Sequence, residues 1–139
     1  MRSLPCIVLN LCLTLHSIGS INTYSSDSDF TCFIERYFIT DALHDLIGCT
    51  NRAEEIFIAN TLAELVSEFY LRANLQWIGA SKWIVRSLKQ YDQKFADHLV
   101  EAFDVLYKTG DKNKVVQLVD KVLEPYGGQF FKRFSLGEN

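Results

Sequence analysis

Apolar residues recur along most of this chain at spacings of three and four, which is the period of a helix rather than of a strand. The clearest stripe is Ile58, Leu62, Leu65, Phe69 and Ala73, with a second row at Ala59, Ala63, Val66 and Tyr70 beside it. A helix apolar over so wide a face belongs at the centre of a packed domain. Asn51 precedes it as a cap, with Glu54 placed to complete a capping box. Upstream, residues 32–47 put Ile39, Leu43, Leu46 and Ile47 on one face and stop at Gly48. Downstream, Ser81 is the expected N-cap of a helix carrying Ile84, Leu88 and Tyr91, and Asp92 caps another that carries Phe95, Leu99, Ala102, Phe103 and Leu106 and stops at Gly110. A fifth follows Asp111 with Val115, Leu118, Val119 and Val122, and Pro125 ends it because proline removes a donor and clashes with the preceding turn. Tyr126-Gly127-Gly128 reads as a turn, and Phe130, Phe131 and Phe134 as an aromatic tail docked on the bundle. No strand-like alternation competes with this pattern. Connections are short, so neighbouring helices are expected to pack antiparallel. The expected fold is all-α, an antiparallel helical bundle of about five to six helices.

The N-terminus follows a different pattern. Residues 3–26 carry no Asp, Glu, Lys or Arg, residues 4–15 are mostly apolar, and Arg2 precedes them. With Ser17-Ile18-Gly19 as a small-residue cleavage site, this is the outline of a secretory signal peptide. Pro5, Asn10 and Thr14 interrupt the run, which is too short for a comfortable membrane span. The competing reading is a first core helix or a truncated start. Residues 22–29 are rich in serine and aspartate and read as a linker. The expected division is therefore an apolar segment and linker over 1–30 and a helical bundle over 31–139.

That choice decides the cysteines. Cleavage would remove Cys6 and Cys12 and leave Cys32 and Cys49 as a candidate disulfide; without cleavage all four are expected as thiols.

At 139 residues, with 48% hydrophobic and 13% aromatic residues, the chain is long enough to bury a core. A formal charge of −3 gives no global basic field for nucleic acid, so any anion contact must come from a local cluster. His16, His44 and His98 are scattered and no two cysteines sit at C-x-x-C spacing, so there is no zinc pattern. Gly-x-Ser-x-Gly, the P-loop and Gly-x-Gly-x-x-Gly are all absent. The paired carboxylates Glu54-Glu55 and Asp41 with Asp45 fit helix first turns and polar faces, with no catalytic reading needed.

Three groups remain as candidate chemistry. Trp77, Lys82 and Trp83 lie where one helical pattern gives way to the next, with Arg86 one turn on and Lys89 after it. A lysine at a helix N-terminus adds its ammonium to the positive end of the helix dipole, which suits a phosphate or another anion. The plainer reading of the same residues is a solvated basic face beside two core tryptophans. Asp27 and Asp29, on a strand, would point to one side and jointly hold a divalent metal with substrate phosphates; the plainer reading is an acidic linker. Lys132-Arg133 near the C-terminus is a basic-aromatic tail, read as docked and frayed.

Over roughly residues 36–134 the chain resembles the helical C-terminal domain of bacterial nucleotidyltransferase-superfamily proteins, relatives of the aminoglycoside and lincosamide nucleotidyltransferases. The resemblance is carried by Leu71-Arg72-Ala73-Asn74-Leu75-Gln76-Trp77, Ser81-Lys82-Trp83, Leu88-Lys89-Gln90-Tyr91-Asp92 and the ending Val119-Asp120-Lys121-Val122-Leu123-Glu124-Pro125-Tyr126-Gly127-Gly128. It implies a bundle that packs against a catalytic α/β domain and closes one wall of the active site. Lys82 would approach nucleotide phosphate or substrate, within an aromatic frame of Trp77 and Trp83. Family catalysis needs a Gly-Ser turn, Asp-x-Asp on a strand and a third carboxylate on a later strand. Asp27 and Asp29 resemble the pair, but the interval from Asp29 to Arg36 leaves no room for the remaining sheet. The resemblance thus implies a cytoplasmic helical half, inactive alone. It would be partnered by a catalytic nucleotidyltransferase domain or by its own copy, with a small-molecule or nucleotide ligand. Mg2+ and nucleoside triphosphate enter only when a complete catalytic domain is supplied. No nucleic acid partner or membrane span is expected. The alternative is a small secreted helical ligand-binding protein with one disulfide, if residues 1–19 are a signal peptide.

Overall fold

A computed structural model of the chain describes residues 21–130, with side chains from residue 30 onward. The apolar N-terminal run with its cleavage site, Cys6 and Cys12, and the tail residues Phe131, Lys132, Arg133 and Phe134 lie outside the described residues. The described chain forms five helices: α1 Ile21–Gly48, α2 Arg52–Ala73, α3 Lys82–Tyr91, α4 Gln93–Thr109 and α5 Asn113–Leu123, followed by a 3-10 turn over Glu124–Tyr126. The all-α expectation holds among these residues, and none of the described helices is long and apolar enough to cross a membrane.

The chain divides into two compact units, Met1–Ile34 and Glu35–Asn139. In the first, the described residues are the N-terminal part of α1, where Phe30 and Phe33 are exposed. Here the linker expectation fails, since residues 22–29 are helical. Serine and aspartate cost a helix only a few tenths of a kcal/mol each, and no proline or glycine stands between Gly19 and Gly48 to stop one. Asp27 and Asp29 accordingly lie on helix, not on the expected strand.

The second unit is the bundle, and its polar contacts fix the helix directions. The start of its α1 portion meets the end of α2, where Glu35 pairs with Arg72. At the other end of α1, the carbonyl of Cys49 accepts from Lys112 Nζ at 2.7 Å, just before α5 begins. Helix α4 starts beside Tyr70 near the end of α2, with the Tyr70 hydroxyl donating to Asp92, and finishes beside Arg52 at the start of α2, which donates to the carbonyl of Tyr107. Helices α1, α2, α4 and α5 thus run up and down in alternation, and α3 sits in the crossover between α2 and α4. The core they share holds Ile39, Leu43 and Leu46 from α1, Ala59, Leu62, Val66 and Phe69 from α2, Leu99, Phe103 and Leu106 from α4, and Val115, Val119 and Leu123 from α5. Burial in α2 runs along the seam between its two apolar rows, so Ile58 and Leu65 are only half-buried. Ile47, expected in the α1 stripe, is exposed.

Local signals set most boundaries. Asn51 Oδ1 accepts from the amides of Ala53 and Glu54 at 2.9 and 3.5 Å, and Asp92 Oδ1 accepts from Phe95 N at 3.1 Å. Helix α4 closes on left-handed Gly110. Gly127 is left-handed as well (φ 101°), and a Cβ there would stand 3.2 Å from Arg36 Nη2. Its absence lets the Arg36 guanidinium clamp the turn, Nε and Nη2 donating to the Gly128 carbonyl at 3.2 and 3.0 Å.

Glu55 is buried at the far end of the bundle, although the sequence assigns it to a polar first turn. Its Oε2 takes a bond from Arg52 Nη1 at 2.5 Å and its Oε1 lies 3.5 Å from Lys112 Nζ. Those two cations also bond the last carbonyls of α4 and the end of α1, so Glu55 ties three helix ends together. The bond from Arg52 chiefly holds the Glu55 carboxyl below its ordinary value of 4.5, against burial, which raises it. A depressed carboxylate stabilises the fold above its unfolded-state value, and that contribution disappears as pH falls through the folded-state value. Glu55→Gln is expected to lower stability at neutral pH by about 1–2 kcal/mol, the worth of a charge-assisted hydrogen bond. Urea titration should show the gap to wild type narrowing below about pH 4.5; a gap independent of pH would count against the ionic clasp.

Candidate functional site

The loop between α2 and α3 begins and ends on strained backbone. Helix α2 closes with Gln76 N donating to Leu71 O at 2.8 Å and Leu75 N to Arg72 O at 3.0 Å. This bond pattern is one in which glycine or asparagine normally takes the left-handed position; here Leu75 takes it, at φ 57° and largely exposed. At the other end, Ser81 has φ 56° and ψ −126°, and Trp83 N donates to Ala80 O at 3.1 Å, forming a turn that favours glycine at the serine position. Ser81 stands where the cap was expected, but its side chain makes no capping bond. These are the two positive-φ non-glycine residues among those described.

Between them the loop presents Trp77, and α3 presents Trp83 from its first turn. The two indoles meet edge to face with centroids 6.4 Å apart. Gly79 permits the contact, because a Cβ there would fall 2.3 Å from Trp83 Cβ and 3.0 Å from Trp77 Cζ3. Arg86 lies 4.7 Å from the centre of the Trp83 ring in a cation–π contact. Neither indole is core: Trp77 is 67% exposed and Trp83 47%. Lys82, Arg86 and Lys89 are exposed too, and none forms an ion pair with a described residue. The structure therefore brings together Trp77, Trp83 and Arg86, with Lys82 beside them at the start of α3. Rings and cations in this arrangement offer stacking surface and positive charge to a flat or anionic group. The arrangement includes no nucleophile with an adjacent base.

A concavity absent from the sequence expectations opens between α2, α4 and α5 with a volume of about 760 Å³. Its walls include Phe69, Tyr70, Phe95, Leu118, Val122 and Tyr126, with Lys94, His98, Lys114 and Lys121 from α4 and α5. The Tyr70 ring stacks on Phe95 at 3.7 Å, with planes 12° apart, and Phe69 meets Tyr126 edge to face at 5.0 Å. Asp92 has two tasks here. Its capping bond from Phe95 N and then its bond from the Tyr70 hydroxyl, 2.8 Å away, hold its carboxyl below the usual range. Burial, and then that bond, push the Tyr70 hydroxyl well above its ordinary value, so it stays a proton donor. Glu101 is likewise held low by Lys114 Nζ, 2.5 Å away. The only local sign of this wall in the sequence is the lysine spacing along α5.

Neither Cys32 nor Cys49 is in a disulfide. Among the described residues, no group of three or more His, Cys, Asp or Glu side chains is placed to hold a metal ion. Set against family models, curated proteins and solved structures, the chain finds no match in any of the three comparisons.

Proposed function

We propose that this bundle is the helical half of a nucleotidyltransferase-type protein, lining the ligand side of an active site whose catalytic carboxylates belong to another domain. The observation that carries the reading is the exposed Trp77–Trp83 pair, with Arg86 over one ring and Lys82 beside it. Indole faces accept a planar base, and the cations accept phosphate. Strained backbone at Leu75 and Ser81 supports the assignment, since strain is retained where the surroundings hold a functional geometry. Mg2+ and nucleoside triphosphate chemistry would enter with the catalytic domain, and the chain is inactive alone. The cleft between α2, α4 and α5 favours a second reading, a small secreted ligand-binding protein.

Both tryptophans of the chain lie at the proposed surface, so its intrinsic fluorescence reports directly on it. Titration with magnesium ATP is expected to quench this fluorescence saturably. Lys82→Ala with Arg86→Ala should weaken the midpoint about tenfold, as two lost charge contacts near a surface imply. No quench in wild type, or the same midpoint in the variant, would sink the reading. Nucleotide transfer by the isolated chain would overturn its inactivity alone.

A further inference from the structure

We propose that the cleft between α2, α4 and α5 is a binding site for a small aromatic carboxylate. None of Trp77, Lys82, Trp83 or Arg86 lines it, so it stands apart from the surface described above. Its volume, about 760 Å³, lies within the range of small-molecule sites.

Aromatic side chains dominate its apolar wall. Phe69 and Tyr126 pack edge to face, and Tyr70 lies flat on Phe95, so the wall is held by paired rings against which a planar apolar group can pack. The charge balance then selects the sign of the ligand. Asp92 is engaged by Phe95 N–H and the Tyr70 hydroxyl, and Glu101 by Lys114. Lys94 and Lys121 line the same cleft, are exposed, and form no ion pair with a described residue. Lys94, Lys114 and Lys121 together outnumber Asp92 and Glu101 along the lining, so the cleft attracts an anion whose body is apolar. The wall also holds Gln117, whose amide can bond a carboxylate.

The test uses the full chain and two fluorescent probes, anionic 8-anilinonaphthalene-1-sulfonate and neutral N-phenyl-1-naphthylamine, with 1-naphthoate as competitor. The anionic probe is expected to bind saturably at about one site per chain and to be displaced by 1-naphthoate. Lys94→Gln with Lys121→Gln should weaken it roughly tenfold, at about 1 kcal/mol or less per charge, and leave the neutral probe unchanged. Gln117→Trp, an exposed position on the cleft wall, should block both probes while circular dichroism stays helical. The proposal is overturned if anionic binding is not saturable, if it survives Gln117→Trp, if 1-naphthoate fails to compete, or if the lysine pair has no effect. Loss of binding on Lys82→Ala with Arg86→Ala instead would move the probe to the tryptophan surface and overturn the cleft assignment alone. Failure of the magnesium ATP titration leaves the cleft result standing.

Discussion

Arg72→Ala is expected to lower the unfolding free energy by about 3–5 kcal/mol, the usual cost of breaking a buried ion pair from one side. Arg72 is 9% exposed and Glu35 8%, and the guanidinium bonds the carboxylate directly between the end of α2 and α1. Both groups left water to make this contact, and truncating the arginine leaves the carboxylate buried without its cation. A domain of this size has only about 5–15 kcal/mol in hand, so the loss is a large share of the total. Replacing both members, Glu35→Leu with Arg72→Met, should cost much less than the sum of the single changes, because no charge is then stranded. Urea unfolding of the four proteins measures this as a double-mutant cycle. Additive losses, or a loss under about 1 kcal/mol for Arg72→Ala, would mean that the pair is not coupled as its burial implies.

Phe69→Ala should be comparably damaging, at about 3–5 kcal/mol, because a fully packed aromatic is removed and the cavity cannot wholly collapse. Phe69 is 1% exposed, and its ring meets Tyr126 edge to face, so it fastens the 3-10 turn after α5 onto the central helix. Phe57 on the same helix is 73% exposed and provides the internal comparison. Phe57→Ala should change stability by no more than about 0.5 kcal/mol, as surface substitutions generally do. Equal losses at the two positions, read from urea midpoints at unchanged denaturant slope, would contradict the assignment of core and surface in α2. Because Phe69 also lines the cleft, its truncation should weaken both aromatic probes together, unlike the lysine changes, which discriminate between them.

Much of the architecture is legible along the chain because its causes are local. A cap needs only a side-chain oxygen and the next amides, which is why Asn51 and Asp92 mark the starts of α2 and α4. A helical stripe needs only a period, which identifies Leu62, Phe69, Leu99, Leu106, Val115 and Val119 as core. Gly110 and Pro125 mark the ends of α4 and α5 through their own backbone chemistry. The Trp77, Lys82, Trp83 and Arg86 group is also visible in sequence, since its members sit within one loop and the first turns of one helix.

What the sequence by itself determined is the number of helices in the bundle, most of their limits and the apolar seam they share, because each follows from contacts between near neighbours. The tertiary structure alone decided that Glu35 pairs with Arg72, that Glu55 ties three helix ends together, that Asp92 takes the Tyr70 hydroxyl as well as its capping amide, and that Trp77 and Trp83 face outward. It also decided the cleft, whose walls come from three separate helices, α2 being parted from the other two by α3. The partner of a polar side chain across a bundle depends on how helices are arranged in space, and spacing along one helix carries no record of that. The helical course of residues 22–29 shows the same limit from the other side: their residues only weakly disfavour a helix, and a preference of a few tenths of a kcal/mol does not resist a helix that is continuous with a packed one.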